Sequence, residues 1–217
     1  MTKYKYILFD WDGCLIKTLD LWLKVNKEIA IKYGADLTFL SDRKFVEISF
    51  GKWEKGFSDL GIKDAKHACK EAVTKFLEDV DLLKMYPSAT QLLDELVKKN
   101  FKLALHTSSY RAWIEKPFRK FAMTRYFKVV VAKDDVIKGK PDPEVIIKAL
   151  KLLGGNKKEA LIVGDSDHDI LAGNNAGVDT CLFYPKSNHK FYANNFLSKT
   201  KPDYTITELK ELLKVVQ

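Results

Sequence analysis

With 217 residues, 46% of them hydrophobic and 30% charged, the chain has the make-up of one soluble domain, or of a core domain with a modest insert. Lys and Arg number 37 against 29 Asp and Glu, a formal net charge of +8, but the lysines run along the whole length. That reads as a solvated basic surface, suited to anionic metabolites and arguing against a nucleic-acid partner.

No apolar run is long enough to cross a bilayer, so no membrane partner is expected. Three widely spaced cysteines, Cys14, Cys69 and Cys181, argue against a disulfide framework and fit no zinc motif. The N-terminus enters Tyr6-Ile7-Leu8-Phe9 too early for a secretory leader, and a cytoplasmic location is expected.

Residues 5–10 predict a buried strand. The next strand-like run, Phe101-Lys102-Leu103-Ala104-Leu105, is far away for a simple crossover, and helical patterns fill the interval. Leu19, Trp22, Leu23, Ile29, Ala30 and Tyr33 recur at helical spacing, with Gly34 as a stop. Phe45, Ile48 and Ser49 suggest a second helix ending before Gly51. A further pattern runs from Ala65 to Leu83. Residues 17–85 are therefore expected to form an inserted helical domain, and residues 1–16 with 86–217 an α/β core.

Beyond Tyr86-Pro87 a core helix is expected over Ala89 to Val97. Val129-Val130-Val131-Ala132 predicts a strand. Asp142 suits an N-cap, with Pro143 at the first helical position and Gly154-Gly155 as the stop. Ala160-Leu161-Ile162-Val163 and Asp179-Thr180-Cys181-Leu182-Phe183 predict two more strands, and Glu208 to Val216 a closing helix. Alternating helices and wholly apolar strands imply a doubly wound, mostly parallel α/β sheet with a Rossmann-like core.

Four short stretches carry the chemistry: Asp10-Trp11-Asp12-Gly13, Thr107-Ser108-Ser109, Lys140-Pro141-Asp142-Pro143 and Gly164-Asp165-Ser166-Asp167-His168-Asp169. Loops at the carboxyl ends of parallel strands converge on one crevice. Two carboxylates at i, i+2 suit a nucleophile and a proton donor to a leaving oxygen. Gly13 lets the backbone turn tightly beside a ligand. Hydroxyls and N–H groups at Thr107, Ser108 and Ser109, leading into a helix, make an anion site. Lys140 can neutralise a transferring phosphoryl group, and Asp165 with Asp169 offers hard oxygen ligands for Mg²⁺.

Taken together these stretches resemble the haloacid dehalogenase-like hydrolase superfamily, in particular phosphoglycolate phosphatase-like members with a helical cap. The resemblance runs from Tyr6 almost to the C-terminus and includes the tail Pro202-Asp203-Tyr204-Thr205-Ile206. It implies a Mg²⁺-dependent phosphatase acting on a small phosphorylated metabolite, as a monomer or homodimer. By that likeness Asp10 is the nucleophile and Asp12 the general acid/base. Thr107 and Lys140 hold the phosphoryl group, and Lys140 also orients Asp10. The metal would be bound by Asp10, the Asp12 backbone carbonyl and Asp165, with Asp169 in support through water or Lys140. Gly51-Lys52-Trp53 sits where related caps present a specificity loop, which makes Lys52 a candidate substrate contact; Gly13 and Ser108 complete the substrate set. Cys14 departs from a usual threonine, and Lys17 from a frequent acidic residue.

Within the superfamily the alternatives are a sugar-phosphate mutase, and a phosphonate hydrolase using Lys52 or Lys55 as an imine-forming lysine. Outside it stand a receiver-like switch and a nucleic-acid binder, the latter on His189-Lys190-Phe191-Tyr192 with Lys199 and Lys201.

Overall fold

The computed structural model describes residues 3–192 and 201–217. Six parallel strands form one sheet in the order β3-β2-β1-β4-β5-β6. They are β1 (Tyr6–Asp10), β2 (Lys102–His106), β3 (Val129–Val131), β4 (Ala160–Gly164), β5 (Asp179–Phe183) and β6 (Tyr204–Ile206). Parallel strands covered on both faces need apolar residues at every position, and β1 and β4 are buried throughout. Their side chains alternate between two cores. Ile7, Phe9, Leu103, Leu105, Leu161 and Val163 enter the larger one. Leu8, Ala104, Ala160 and Ile162 enter the smaller, against the helices of the opposite face.

Before β2 come α1 (Leu19–Lys32), α2 (Asp42–Ser49), α3 (Trp53–Asp59), α4 (Ala65–Glu78) and α5 (Ala89–Lys98). Then follow α6 (Arg111–Lys120), α7 (Glu144–Leu153), α8 (Asp167–Ala176) and the short α9 (Leu212–Val215). Helices α7 and α8 cover the small core through Val145, Ile146, Ala149, Leu150, Ala172 and Ala176. Between β1 and α5 the described structure is helical, and α1–α4 pack on one another around Trp22, Phe45, Phe57 and Phe76. The chain enters and leaves this segment at one place. Ile16 and Met85 form an antiparallel bridge, Lys17 N–H donates to the Lys84 carbonyl (2.9 Å), and Tyr86 N–H to the Leu15 carbonyl (3.0 Å).

Three elements add to the sequence expectation. A helix, α3, begins at Trp53 where a loop was expected. α6 follows β2 as the Thr107-Ser108-Ser109 stretch leading into a helix implies, although the sequence reading gave it no bounds. A sixth strand, β6, forms in the tail and pairs with β5. The closing helix is shorter than expected: a 3₁₀ turn, Leu209–Glu211, precedes α9. Asp142 does cap α7, its Oδ1 accepting from Glu144 N–H (3.0 Å), although the helix starts one residue later than Pro143. No described helix is long and apolar enough to cross a membrane.

Candidate active site

Register brings three strand ends level. Asp10 closes β1 opposite His106 of β2, and Phe9 lies opposite Val163 of β4, so Gly164 and Asp165 emerge beside Asp10. A cavity of about 330 Å³ opens there. Asp10, Asp12, Ser108, Lys140 and Asp165 line it from the sheet side. Leu19, Arg43, Val46 and Phe50 line it from α1, α2 and the following turn, and Phe191 with Tyr192 closes a third side.

Lys140 binds the acidic residues to each other. Its ammonium donates to Asp10 Oδ1 (2.6 Å) and Asp169 Oδ1 (2.5 Å), and its side chain is only 4% exposed. The loop that carries it is fixed by Asn175 Nδ2, which donates to the Pro141 carbonyl (3.0 Å). The second oxygen of Asp169 accepts from Ser166 N–H (3.1 Å) and Ser166 Oγ (2.6 Å), a capping box at the start of α8. A Cβ at Gly164 would lie 2.4 Å from the Asp169 side chain, so this close approach requires glycine.

The electrostatics follow from burial. Burial, then the Asp169 charge, pushes the Asp10 carboxyl well above its usual range, against the pull of Lys140. Burial raises Asp12 too, opposed by Ser109. Burial would also raise Asp169, but the Lys140 charge and the hydrogen bonds from Lys140 and Ser166 outweigh it and hold it below its usual range. Burial would lower Lys140; Asp10 and Asp169 reverse that, and the ammonium stays charged.

The Thr107-Ser108-Ser109 stretch behaves differently from a nest of free N–H donors. Thr107 N–H is taken by the Val131 carbonyl (3.0 Å), and Ser109 N–H by Thr107 Oγ1 (3.0 Å). The hydroxyls instead reach Asp12, whose Oδ2 accepts from Ser109 Oγ (2.7 Å) and Thr107 Oγ1 (3.3 Å). Ser108 lines the cavity. Ser109, expected only as part of an anion site, is therefore a principal partner of Asp12.

Asp165 has partners that no local pattern announces. Its Oδ2 accepts from the Tyr192 hydroxyl and from Asn188 Nδ2 (3.3 Å). Asn188 Nδ2 also donates to the Gly13 carbonyl (2.9 Å), and Asn188 Oδ1 accepts from the Tyr86 hydroxyl. Gly13 has φ +76°, and a Cβ there would lie 1.9 Å from Asp165 Oδ2. The glycine thus makes room for a carboxylate as well as for a turn. Arg43 of α2 donates to the Tyr192 carbonyl, and Phe50 stacks on Phe191 at 5.8 Å between centroids. The segment 186–192 thereby touches α2 and Asp165 at once. Its aromatic residues are committed to packing, unlike the stacking platform expected of a nucleic-acid binder. Lys199 of that expected set lies outside the described residues.

Lys52 stands apart from the cavity. Its ammonium donates to the Glu47 carbonyl (2.6 Å), and it lines a separate groove with Lys55, Lys66 and Lys70. Helix α3 starts directly after it and turns the side chain outward. Lys55 pairs with Asp59 at 3.0 Å, so neither candidate imine-forming lysine reaches the site. Cys14 is fully buried and faces the Val163 carbonyl, Trp11 packs on Phe118, and exposed His168 stands on the cavity rim.

The donor set fits a divalent cation. Asp10, Asp165 and Asp169 are buried, with Asp12 beside them, and Lys140 pairs with only two of the four. Asp165 has no ion-pair partner among the described residues. Burial, together with the Asp10 and Asp169 charges, raises its carboxyl well above the usual range. Ligand atoms of Asp10, His106 and Asp169 also lie within 4.8 Å of one another, but the Lys140 ammonium already sits between those two carboxylates. The ammonium thus occupies the Asp10–Asp169 side of the cluster and leaves the Asp165 side without a cation among the described residues.

Comparison with known proteins agrees with this geometry. The family model for haloacid dehalogenase-like hydrolases matches residues 7–183. A Caldanaerobacter subterraneus protein, provisionally named pyrophosphatase PpaX, is 30% identical over 223 residues, covering 99% of this chain and 96% of its own. Pyrophosphatase PpaX of Bacillus cereus is 29% identical, covering 99% and 97%. A crystal structure from Haemophilus somnus, of a predicted phosphoglycolate phosphatase, superposes with TM-score 0.85 over the whole of both chains at 21% identity, a likeness of fold. The chain belongs to the haloacid dehalogenase-like hydrolase family.

Proposed function

We propose that this enzyme is a Mg²⁺-dependent phosphatase that hydrolyses a small phosphorylated metabolite through an aspartyl-phosphate on Asp10. The observation that carries this reading is the pairing of Asp10 with Lys140 at 2.6 Å, in a cavity that also presents Asp12. Lys140 engages one oxygen of Asp10 and leaves the other to attack phosphorus. Asp12, raised by burial, can hold a proton for the leaving oxygen. As the Asp10–phosphorus bond forms, the bond to the leaving oxygen breaks, and that oxygen takes the proton of Asp12. In the second step Asp12 accepts a proton from water, whose oxygen attacks phosphorus and releases Asp10. Ser109 and Thr107 keep Asp12 aimed through both steps.

Mg²⁺, held by Asp10, Asp165 and the Asp12 backbone carbonyl, would neutralise charge on the phosphoryl oxygens. Helices α1–α4 serve as a cap that walls the reaction from water. A phosphonate hydrolase loses support, since Lys52 and Lys55 point elsewhere.

The test is phosphate release from a panel of phosphate monoesters and inorganic pyrophosphate, with Mg²⁺ or EDTA, for wild type and Asp10→Asn. Pyrophosphate comes first because the relatives bear that name. Release that needs Mg²⁺ and vanishes in Asp10→Asn is expected; substantial turnover by the folded variant would remove Asp10 as nucleophile.

A further inference from the structure

A second, smaller cavity of about 90 Å³ lies among α1, α2 and α3. Leu19, Phe50 and Gly51 belong to its wall and also to that of the catalytic cavity, so the two adjoin. The rest of the lining is Trp22, Asn26, Ser49 and Trp53. The two indoles meet edge to face at 5.5 Å.

Asn26 is the anomaly. On α1, Leu19, Trp22 and Ile29 share its apolar face, the face that folding buries. Asn26 is 7% exposed, and its carboxamide makes no hydrogen bond among the described residues, with Oδ1 wholly buried. Ser49 cannot help as donor, because its hydroxyl is given to the Phe45 carbonyl (2.8 Å). An unmet buried amide is destabilising, and an aliphatic side chain would fill the same face without that cost. Nothing in the packing explains Asn26, whereas a ligand would.

The lining defines that ligand. It contains no cation and no carboxylate, which disfavours a second phosphoryl or carboxylate group. Aromatic and aliphatic walls suit carbon, and one amide suits a hydroxyl or N–H. The volume admits a fragment of about three or four non-hydrogen atoms, taking a water as about 30 Å³. Resting on the phosphatase reading above, we propose that this cavity is a leaving-group subsite. It takes the neutral, hydroxyl- or amide-bearing end of a short organic phosphate, hydrogen-bonded to Asn26, while the phosphoryl end sits at Asp10. The substrate class is accordingly an uncharged, hydroxylated or amidated carbon phosphate rather than pyrophosphate.

The experiment compares kcat/KM for n-alkyl phosphates of two to five carbons with their ω-hydroxyalkyl partners, in wild type, Asn26→Ala and Asn26→Leu. Wild type is expected to prefer the hydroxylated member of at least one pair by about tenfold or more, the value of one buried hydrogen bond. Both variants should bring that ratio to about 1. A wild type indifferent to the hydroxyl at every length, as expected if water alone fills the cavity, would overturn the proposal. So would a preference that survives in either variant.

Binding is read separately by tryptophan emission, to which Trp22 and Trp53 contribute, in Asp10→Asn with and without Asn26→Ala, titrated with the same pairs. Hydroxyl-dependent quenching that disappears with Asn26, in a protein that hydrolyses none of the esters, would sink the phosphatase reading and leave the subsite standing. Hydrolysis without any hydroxyl preference would do the reverse.

Discussion

His106 offers a test that does not depend on knowing the substrate. Its imidazole is fully buried at the end of β2, neither ring nitrogen has a hydrogen-bond partner among the described residues, and Asp169 Oδ1 stands 3.9 Å away. Burial, and then the Lys140 charge, pushes its pKa from an ordinary 6.5 down to about 3, with Asp169 opposing. As pH falls below 6.5 the unfolded chain takes up a proton that the folded chain refuses. Stability present above pH 6.5 is therefore lost progressively down to pH 3. Between pH 7.5 and pH 5.0 the loss from this one group is about 2 kcal/mol, since each pH unit below 6.5 is worth about 1.4 kcal/mol. Asp10 and Asp165 act in the opposite sense, because their folded-state pKa values are raised. Their contribution is largely cancelled by comparison with His106→Asn, which keeps both carboxylates and removes the titration. Urea unfolding in EDTA, followed by tryptophan emission at both pH values, should show the wild-type minus variant difference falling by about 2 kcal/mol at pH 5.0. A difference that stays the same at the two pH values would mean that the imidazole titrates normally, and the account of its burial would fail.

Gly13→Ala should destabilise the protein by at least about 1 kcal/mol in chemical unfolding and depress turnover, because the new Cβ needs positive φ and displaces Asp165. A variant of unchanged stability and rate would show that the turn yields freely. Tyr192→Phe should raise the Mg²⁺ concentration needed for half-maximal rate several-fold and weaken Mn²⁺ binding measured directly, with kcat at saturating metal little changed, since Asp165 Oδ2 loses a donor but keeps Asn188. Unaltered metal affinity would leave the hydroxyl without an orienting role. Lys52→Ala should change kcat and KM less than about twofold for any substrate, the effect of an exposed side chain that lines a different groove; a marked change of selectivity would bring Lys52 back to the site.

The strands at the centre of the sheet were legible because burial on both faces writes an unbroken apolar run. Ala160–Gly164 and Asp179–Phe183 are where the sequence places them, within a residue. Helix α6 was implied by the stretch that leads into it, but its extent was illegible for the converse reason. Its ten residues bury only Ile114 and Pro117, and an internal proline hides the periodicity. β6 is three residues long and exists through its pairing with β5, information that lies outside its own sequence.

The carboxylates and Lys140 could be grouped in advance because strand ends of a parallel sheet must converge. Asn188, Tyr192 and Arg43 could not, since each reaches the site by tertiary packing across long stretches of chain. The outward turn of Lys52 depends on where α3 begins, and a seven-residue helix containing a glycine gives no clear start signal.

The bridge between Ile16 and Met85 has a consequence for how such a chain can diversify. A segment whose two ends are clamped side by side is, to the sheet, a closed loop, and closing a loop becomes only about 0.6 kcal/mol more costly for each doubling of its length. The strands of the sheet therefore scarcely register the length of what is spliced in at that point, whereas Asp165 meets the insert through α2 and Tyr192. Helices can lengthen or shorten there while the strands that carry Asp10 and Asp165 keep their register, a graft that can be trimmed on an unaltered rootstock.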